Sequence, residues 1–480
     1  MNAKYINFIK LLFGDVRFWI LLFFVVRLFN INAPIFDSHN WRQADGYAIA
    51  RNFFEIDANI FYPRIDHAGN LTGIMGSEFP IMNYLVFGLY KIFGVDWWQA
   101  RLLNLMVSSL GCLFFYKIIF QFIKKQVAFP STLILLASLW FSHSRKFMPD
   151  VFSTSLVIIA IYFGLNFLYS KKNWHISLYF ILITFGLLSK LPSFIMTGLL
   201  VPVIFESSVH IKRKLLFVFV SIVAIIPAVW WYFYWAPKIT SDYGFFYFFM
   251  GSSLSESVEF LRSEWQNVFS RFYVDAMGYV GFAFYVLGVV YSLIKKEKKL
   301  LIILISAFIF QLIFMLKAGG SFAHHTYYII PFVPIMAIFV GFFISRIQNG
   351  WIRLLLIIII AVESVLNLQH DFKSKPSASY LLQLESVADS YTSKEDLIII
   401  NNTLNPKSLY FAHRKGWGVK SKVISDSDFL EDVVEKGCQL FIWDRHSAEL
   451  PVNIPYFKLV KKTTDFGIYK PEETIRVGNK

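Results

Sequence analysis

The chain has 480 residues, of which 56% are hydrophobic and only 16% charged. Soluble domains carry roughly 25% charge, so most of this chain must lie in lipid. The net charge of +14 does not point to nucleic acid, because the basic residues fall in short clusters between apolar runs. That is the pattern the positive-inside rule produces. Cys112 and Cys438 give no disulfide framework.

A spanning helix needs about 20 mostly apolar residues. Such runs are predicted over 16–33, 98–123, 127–143, 151–170, 175–190, 192–209, 214–235, 277–294, 300–317, 326–345 and 351–369, about eleven in all. The first lacks a small-residue cleavage site and reads as an anchor rather than a removed signal. Lys4, Lys10 and Arg17 precede it. Further basic clusters are Lys124 and Lys125, Lys171 and Lys172, Lys212 to Lys214, Lys295 to Lys299, and Arg346 with Arg353. On this count all of them share one side. The chain is therefore expected to be a multi-pass protein of the inner (cytoplasmic) membrane with a cytoplasmic N-terminus. The segments 37–78, 145–150, 237–275, 319–325 and everything after about 370 then lie outside the cytoplasm.

The first outer loop is unlike a passive connector. It holds six carboxylates (Asp37, Asp45, Glu55, Asp57, Asp66 and Glu78) beside His39, Trp41, Arg42, Arg51, Arg64 and His67. Asp37 and Asp45 bracket His39-x-Trp41-Arg42-Gln43 directly after a span. A carboxylate there can take a proton from a hydroxyl, and Arg42 can hold a phosphate by paired hydrogen bonds. Helical spacing of Tyr47, Ile49, Ala50, Phe53 and Phe54 predicts a helix over 45–55 lying on the membrane surface. Glu78 precedes a short apolar run over 80–93, too short to span, and either caps it or serves the site.

Later outer positions carry charge on the disfavoured side. Arg145 and Lys146 precede Pro149 and Asp150, Lys190 sits in a turn before Pro192, and Lys317 precedes Gly319 to Tyr328. Misplaced charge of this kind wants an anionic ligand. His324, His325 and Tyr327 offer phosphate or sugar contacts, interfacial packing, or, less readily, metal ligation, since adjacent histidines seldom share an ion unaided. The aromatic run 243–249 either holds an isoprenoid tail or simply anchors the loop. After about 370 the composition changes. Helices are predicted over 377–393 and 427–437, with strands over 396–402, 409–413, 439–444 and 456–469. This predicts two domains: a membrane part, 1–369, and a small extracytoplasmic α/β part, 370–480. HExxH, CxxC and Walker patterns are absent from the sequence.

The order of these motifs resembles the GT-C superfamily of glycosyltransferases that use polyprenyl-phosphate sugars, in the branch with protein O-mannosyltransferases and the lipid A aminoarabinose transferase. The likeness rests on His39-x-Trp41-Arg42-Gln43-x-Asp45, Tyr47-Ala48-Ile49-Ala50-Arg51, Glu78-Phe79-Pro80, Arg101-Leu102, Met148-Pro149-Asp150, Ser189-Lys190 and Tyr327-Tyr328 to Pro334, and it is nearest to bacterial members with the first of these motifs. The resemblance implies a polytopic α-helical GT-C-like fold and an inverting glycosyltransferase. Sugar would pass from a polyprenyl-phosphate-linked donor, held among membrane lipid, to a glycan, lipid or protein acceptor outside the membrane. It also implies a catalytic acid in the first outer loop, Asp37 or Asp45; Asp37 is the expected base, with Asp45 binding sugar or orienting Arg42. His39, Trp41, Arg42, Glu78, Arg145, Asp150, Lys190, Lys317, His324, His325 and Tyr327 are the expected substrate contacts. No cofactor is implied with certainty; a divalent cation is the one candidate. Two other readings compete. A polysaccharide polymerase or ligase would carry its large outer loop late in the chain. A lipid-linked sugar flippase or transporter would show repeats and charges deep within spans.

Overall fold

The computed structural model describes residues 13–170, 172–244, 253–373 and 375–472. Lys4, Lys10, Lys171 and the aromatic run beyond Gly244 lie outside the described residues. Contacts divide the chain into two compact units. One comprises Met1–Asn32, Asp96–Tyr234 and Phe248–Phe372; the other comprises Ala33–Val95, Trp235–Tyr247 and Lys373–Lys480.

The first unit is helical. Val16–Arg27, Trp98–Ile118, Lys125–Ala137, Pro149–Tyr169, Trp174–Ser189, Ile211–Trp230, Gly278–Ile294, Lys298–Ala318, Val333–Ile344 and Gly350–Leu368 fall within or across ten of the predicted runs. Val333–Ile344 is apolar on every side and almost wholly buried, as a helix without a polar face must be. The run 192–209 differs. It opens as a 3-10 helix, Leu191–Leu200, and continues as the short helix Val201–Ile204. Pro192 and Pro202 each withhold an amide donor, and Gly198 lies so near Ala307 that a Cβ would come within 2.9 Å of its nitrogen.

Among the described residues five helices are long and apolar enough to cross a membrane: Trp98–Ile123, Pro149–Tyr169, Ile211–Asp242, Lys298–Ala318 and Gly350–Asp389. A sixth follows if Trp265–Asp275 and Gly278–Ile294, bent by 92°, form one broken span. The other expected spans rest on shorter apolar helices. The chain is a multi-pass membrane protein.

In the second unit, Asn40–Glu55 packs on Ile81–Phe93 through Ile49, Phe53, Ile65, Met75 and Phe87. The C-terminal sheet has β1 (Leu397–Ile400), β2 (Gly416–Gly418), β3 (Cys438–Asp444), β4 (Phe457–Lys462) and β5 (Phe466–Pro471), in the order β2-β1-β3-β5-β4. β1 runs parallel to β2 and β3, while β5 pairs antiparallel with β3 and β4. Ile399, Leu430, Val433, Phe441, Trp443, Phe457 and Tyr469 form its core.

Two predicted strands need correction. Residues 409–412 belong to a helix, Lys407–Ala412, with His413 just beyond its end. Asn405 accepts from the Lys407 amide at its start and His413 closes it in the left-handed conformation, so a short apolar run that fits either structure becomes helical. The run 456–469 is a hairpin rather than one strand: Thr463 to Asp465 turn it, with the Thr463 amide donating to Phe466 O at 2.8 Å.

Candidate active site

The helix Asn40–Glu55 begins five residues earlier than its apolar spacing indicates. His39 precedes it at φ 59°, ψ 29°, a left-handed turn that His tolerates better than most residues. The turn places Asp37 beside the first helical turn, where Gln43 Nε2 donates to Asp37 Oδ1 at 2.8 Å and to Ser38 O at 3.3 Å. Gln43 is fully buried, so this contact fixes the Asp37 carboxylate. Trp41 is exposed.

One turn on, Arg42 pairs with Glu78, both largely shielded. Glu78 reaches this position because the chain before it lies tightly against the helix Ala236–Asp242. The Gly76 amide donates to Thr240 Oγ1 at 3.0 Å, and a Cβ on Gly76 would collide with Ala236 O. Asp45 is half-buried in the same neighbourhood. Its carboxyl is pushed up to about 7, first by desolvation; Arg42 opposes the shift, and the negative charges of Asp66 and Glu78 add to it. Asp66 is itself bound by Arg51 at 2.6 Å and by Asn52 at 3.1 Å. Asp37, Gln43, Arg42, Asp45 and Glu78 thus form one site at the start of Asn40–Glu55, in which carboxylates outnumber cations. Sequence reasoning missed Gln43 as the holder of Asp37 and Asp66 as the charge behind Asp45; the i, i+6 step from Asp37 to Gln43 carries no signature.

A second cluster belongs to the helical unit. Pro149 sets the first turn of Pro149–Tyr169 and places Asp150 there. Lys190 follows the end of Trp174–Ser189 and meets Asp150 at 3.8 Å, both buried. Its ammonium lies over the rings of Tyr327 and Tyr328 at 5.9 and 5.5 Å, and His325 stacks on Tyr327 at 5.1 Å. Arg145 donates to Phe29 O at 2.6 Å and lies over Phe372 at 4.6 Å. Lys146 pairs with Asp371 at 2.9 Å, both nearly inaccessible. Lys317 and His324 are exposed, and His324 meets the edge of Phe260. Asp150, Lys190, His325 and Tyr327 therefore come together, whereas Arg145 is engaged a few residues away and Lys317 lies in the last turn of Lys298–Ala318. Asp371 was not anticipated, although a lone acid just beyond an apolar run is a readable signal. Among the described residues no group of three or more His, Cys, Asp or Glu is placed to hold a metal ion.

Residues 77–233 match the family described as dolichyl-phosphate-mannose-protein mannosyltransferase. That stretch includes Glu78, Arg145, Asp150 and Lys190 but stops short of Asp37 and Asp45. ArnT from Cupriavidus metallidurans, solved with undecaprenyl phosphate, superposes with a TM-score of 0.62 at 13% identity, over 95% of this chain and 98% of that one. This chain has a GT-C-like fold. The archaeal oligosaccharyltransferase AglB from Archaeoglobus fulgidus, solved with an inhibitory peptide and a dolichol-phosphate, gives a TM-score of 0.54 at 12% identity, covering 95% and 74%. No curated protein matches the sequence significantly. The GT-C likeness read from the motif order is supported both by the family match and by the fold.

Proposed function

We propose that the chain is an inverting glycosyltransferase that moves a sugar from a polyprenyl-phosphate donor to an acceptor hydroxyl at the outer face of the cytoplasmic membrane. The observation that carries this reading is Asp45, a half-buried carboxyl raised to about 7 beside an arginine and two further carboxylates. A general base works best when its pKa lies near the operating pH, and perturbed carboxyls in shielded clusters mark functional sites. The donor class is supported by the relatives solved with undecaprenyl phosphate and dolichol-phosphate.

In this reading Asp45 takes the proton of the acceptor hydroxyl. The oxygen attacks the anomeric carbon, the bond from that carbon to the phosphate oxygen breaks, and its electron pair leaves with the phosphate. The transition state resembles an oxocarbenium ion. Charge grows on the departing phosphate, so cations fixed beforehand stabilise that moment more than the ground state. Arg42, held beside Asp45 by Glu78, is the candidate. Asp37, clamped by Gln43, is the second acid and holds a sugar hydroxyl. The reading keeps the division into a membrane part, 1–369, and an extracytoplasmic part, 370–480. Purified Asp37→Asn and Asp45→Asn variants, assayed separately for transfer from an undecaprenyl-phosphate sugar, test it. Full activity in both would end the proposal.

A further inference from the structure

Within the second unit, the far end of Asn40–Glu55 is tied to the C-terminal segment through one imidazole. His413 follows the last turn of Lys407–Ala412 in the left-handed conformation, φ 51° and ψ 45°, and its amide donates to Tyr410 O at 3.2 Å. Its ring lies between two helices. Nε2 is 2.8 Å from Glu55 Oε2, on the last residue of Asn40–Glu55. Nδ1 is 2.8 Å from Glu385 Oε1, in the first turn of Leu384–Asp389. The imidazole is partly shielded, with a quarter of its side chain exposed.

A carboxylate can only accept, and a neutral imidazole has one N–H to give. Two such contacts at bonding distance therefore need a ring that carries both protons, or an acid that keeps its own. The surroundings favour the first. Glu385 also accepts from Lys394 at 2.6 Å, and Glu55 faces Arg51 at 3.9 Å. Each acid thus meets a second cation, which is the arrangement of carboxylates rather than carboxylic acids. The other charges around the ring engage one another. Arg51 holds Asp66 at 2.6 Å, while Arg414 and Lys394 hold Asp389 at 2.6 and 2.9 Å. Imidazole is the one side chain in this cluster that ordinarily gains or loses charge between about pH 5 and 8.

We propose that His413 is a proton-operated clasp between the helix that carries Asp45 and Leu384–Asp389. Charged, the ring donates to Glu55 and to Glu385 together. Neutral, it turns a lone pair towards one of the two carboxylates, and that side must part. The clasp is therefore closed in acid and opens as pH rises. It goes beyond the transferase reading, because the contact needs no substrate and can be followed without one.

Hydrogen exchange of the detergent-solubilised full chain tests this, read as the protection of peptides covering 50–58 and 384–390 after correction for the intrinsic rate. From about pH 5.5 to about pH 8, protection of both should fall about five-fold, the upper range for partly exposed ion pairs. His413→Asn keeps a residue that tolerates the left-handed turn, and should show the low, alkaline value at both pH values. Glu55→Gln gives the opposite result. An amide both donates and accepts, so a neutral ring can satisfy both neighbours, and protection should stay high across the range. Asp45, earlier on the same helix, has its carboxyl pushed up to about 7, and its own effect on exchange would survive in Glu55→Gln. A fall as steep in Glu55→Gln as in the parent, or no fall in the parent, would overturn the clasp.

Discussion

Buried charge is handled in opposite ways in the two units. In the helical unit Lys146 meets Asp371 at 2.9 Å with both side chains almost inaccessible, and Lys190 meets Asp150 with two tyrosine rings beneath its ammonium. Charges matched in this manner hold segments together, because removing either partner strands the other in a low-dielectric interior. Beside Asn40–Glu55 the count is uneven. Arg42 is shared between Glu78 and Asp45, while Asp66 adds repulsion from one side. An ionised Asp45 is costly there, and in the proposed mechanism that cost suits it to act as a base near neutrality. Matched charge would then build the scaffold and mismatched charge supply the reactivity.

Breaking the mismatch should have the largest consequence. Asp45→Asn is expected to lower kcat for transfer about a thousand-fold, within the range for loss of a general base, and Asp37→Asn about ten-fold, as a lost sugar contact would. Misfolding can be separated from this effect by its sign. The folded carboxyl of Asp45 lies above its unfolded value of 3.8, so the native state holds the extra proton between the two. The stability tied to that proton is present at low pH and is lost as pH rises through about 7. The Asn variant avoids the loss and should unfold no earlier than the parent at alkaline pH in a thermal melt. Breaking a matched pair should act the other way. Asp371→Ala leaves Lys146 buried and alone, costing about 3 kcal/mol of stability, and Lys146→Met with Asp371→Leu should recover most of it.

The sequence made some of this contrast readable. Spacing of Tyr47, Ile49 and Phe53 disclosed the helix, and Arg145 and Lys190 stood out as cations on the disfavoured face. The start of the helix was hidden, since nothing marks His39 as left-handed when the usual residue for that geometry is glycine. Arg42 and Glu78 are 36 residues apart, joined only because Gly76 permits close approach to Ala236–Asp242. The disfavoured cations were read as waiting for an anion. The fold gives Lys146 and Lys190 acids within the protein as well, and one of these, Asp371, arrives from 225 residues away. Short apolar runs were the weakest guide: 409–413 suits a strand by content, yet 409–412 is helical because Asn405 and His413 close both ends of the helix.

A finer test of the mismatch is to alter it without touching the base. Glu78→Gln removes one of the two carboxylates that raise Asp45 and releases Arg42 to act on it alone. Both changes favour the ionised form, so the acid limb of kcat/KM should move to lower pH by about one unit, with a lower plateau because a weaker base abstracts less effectively. An unmoved limb would mean that desolvation alone sets Asp45, or that another group titrates. The smallest effect belongs to an exposed pair in the same unit. Arg64 and Asp57 lie 3.2 Å apart with Asp57 nearly half exposed, and solvent screening leaves such a contact less than about 0.5 kcal/mol. Asp57→Asn should therefore leave both the melting temperature and the acid limb where they were. If it moved the limb as far as Glu78→Gln does, general surface potential would govern Asp45, and the local imbalance around Arg42 would not.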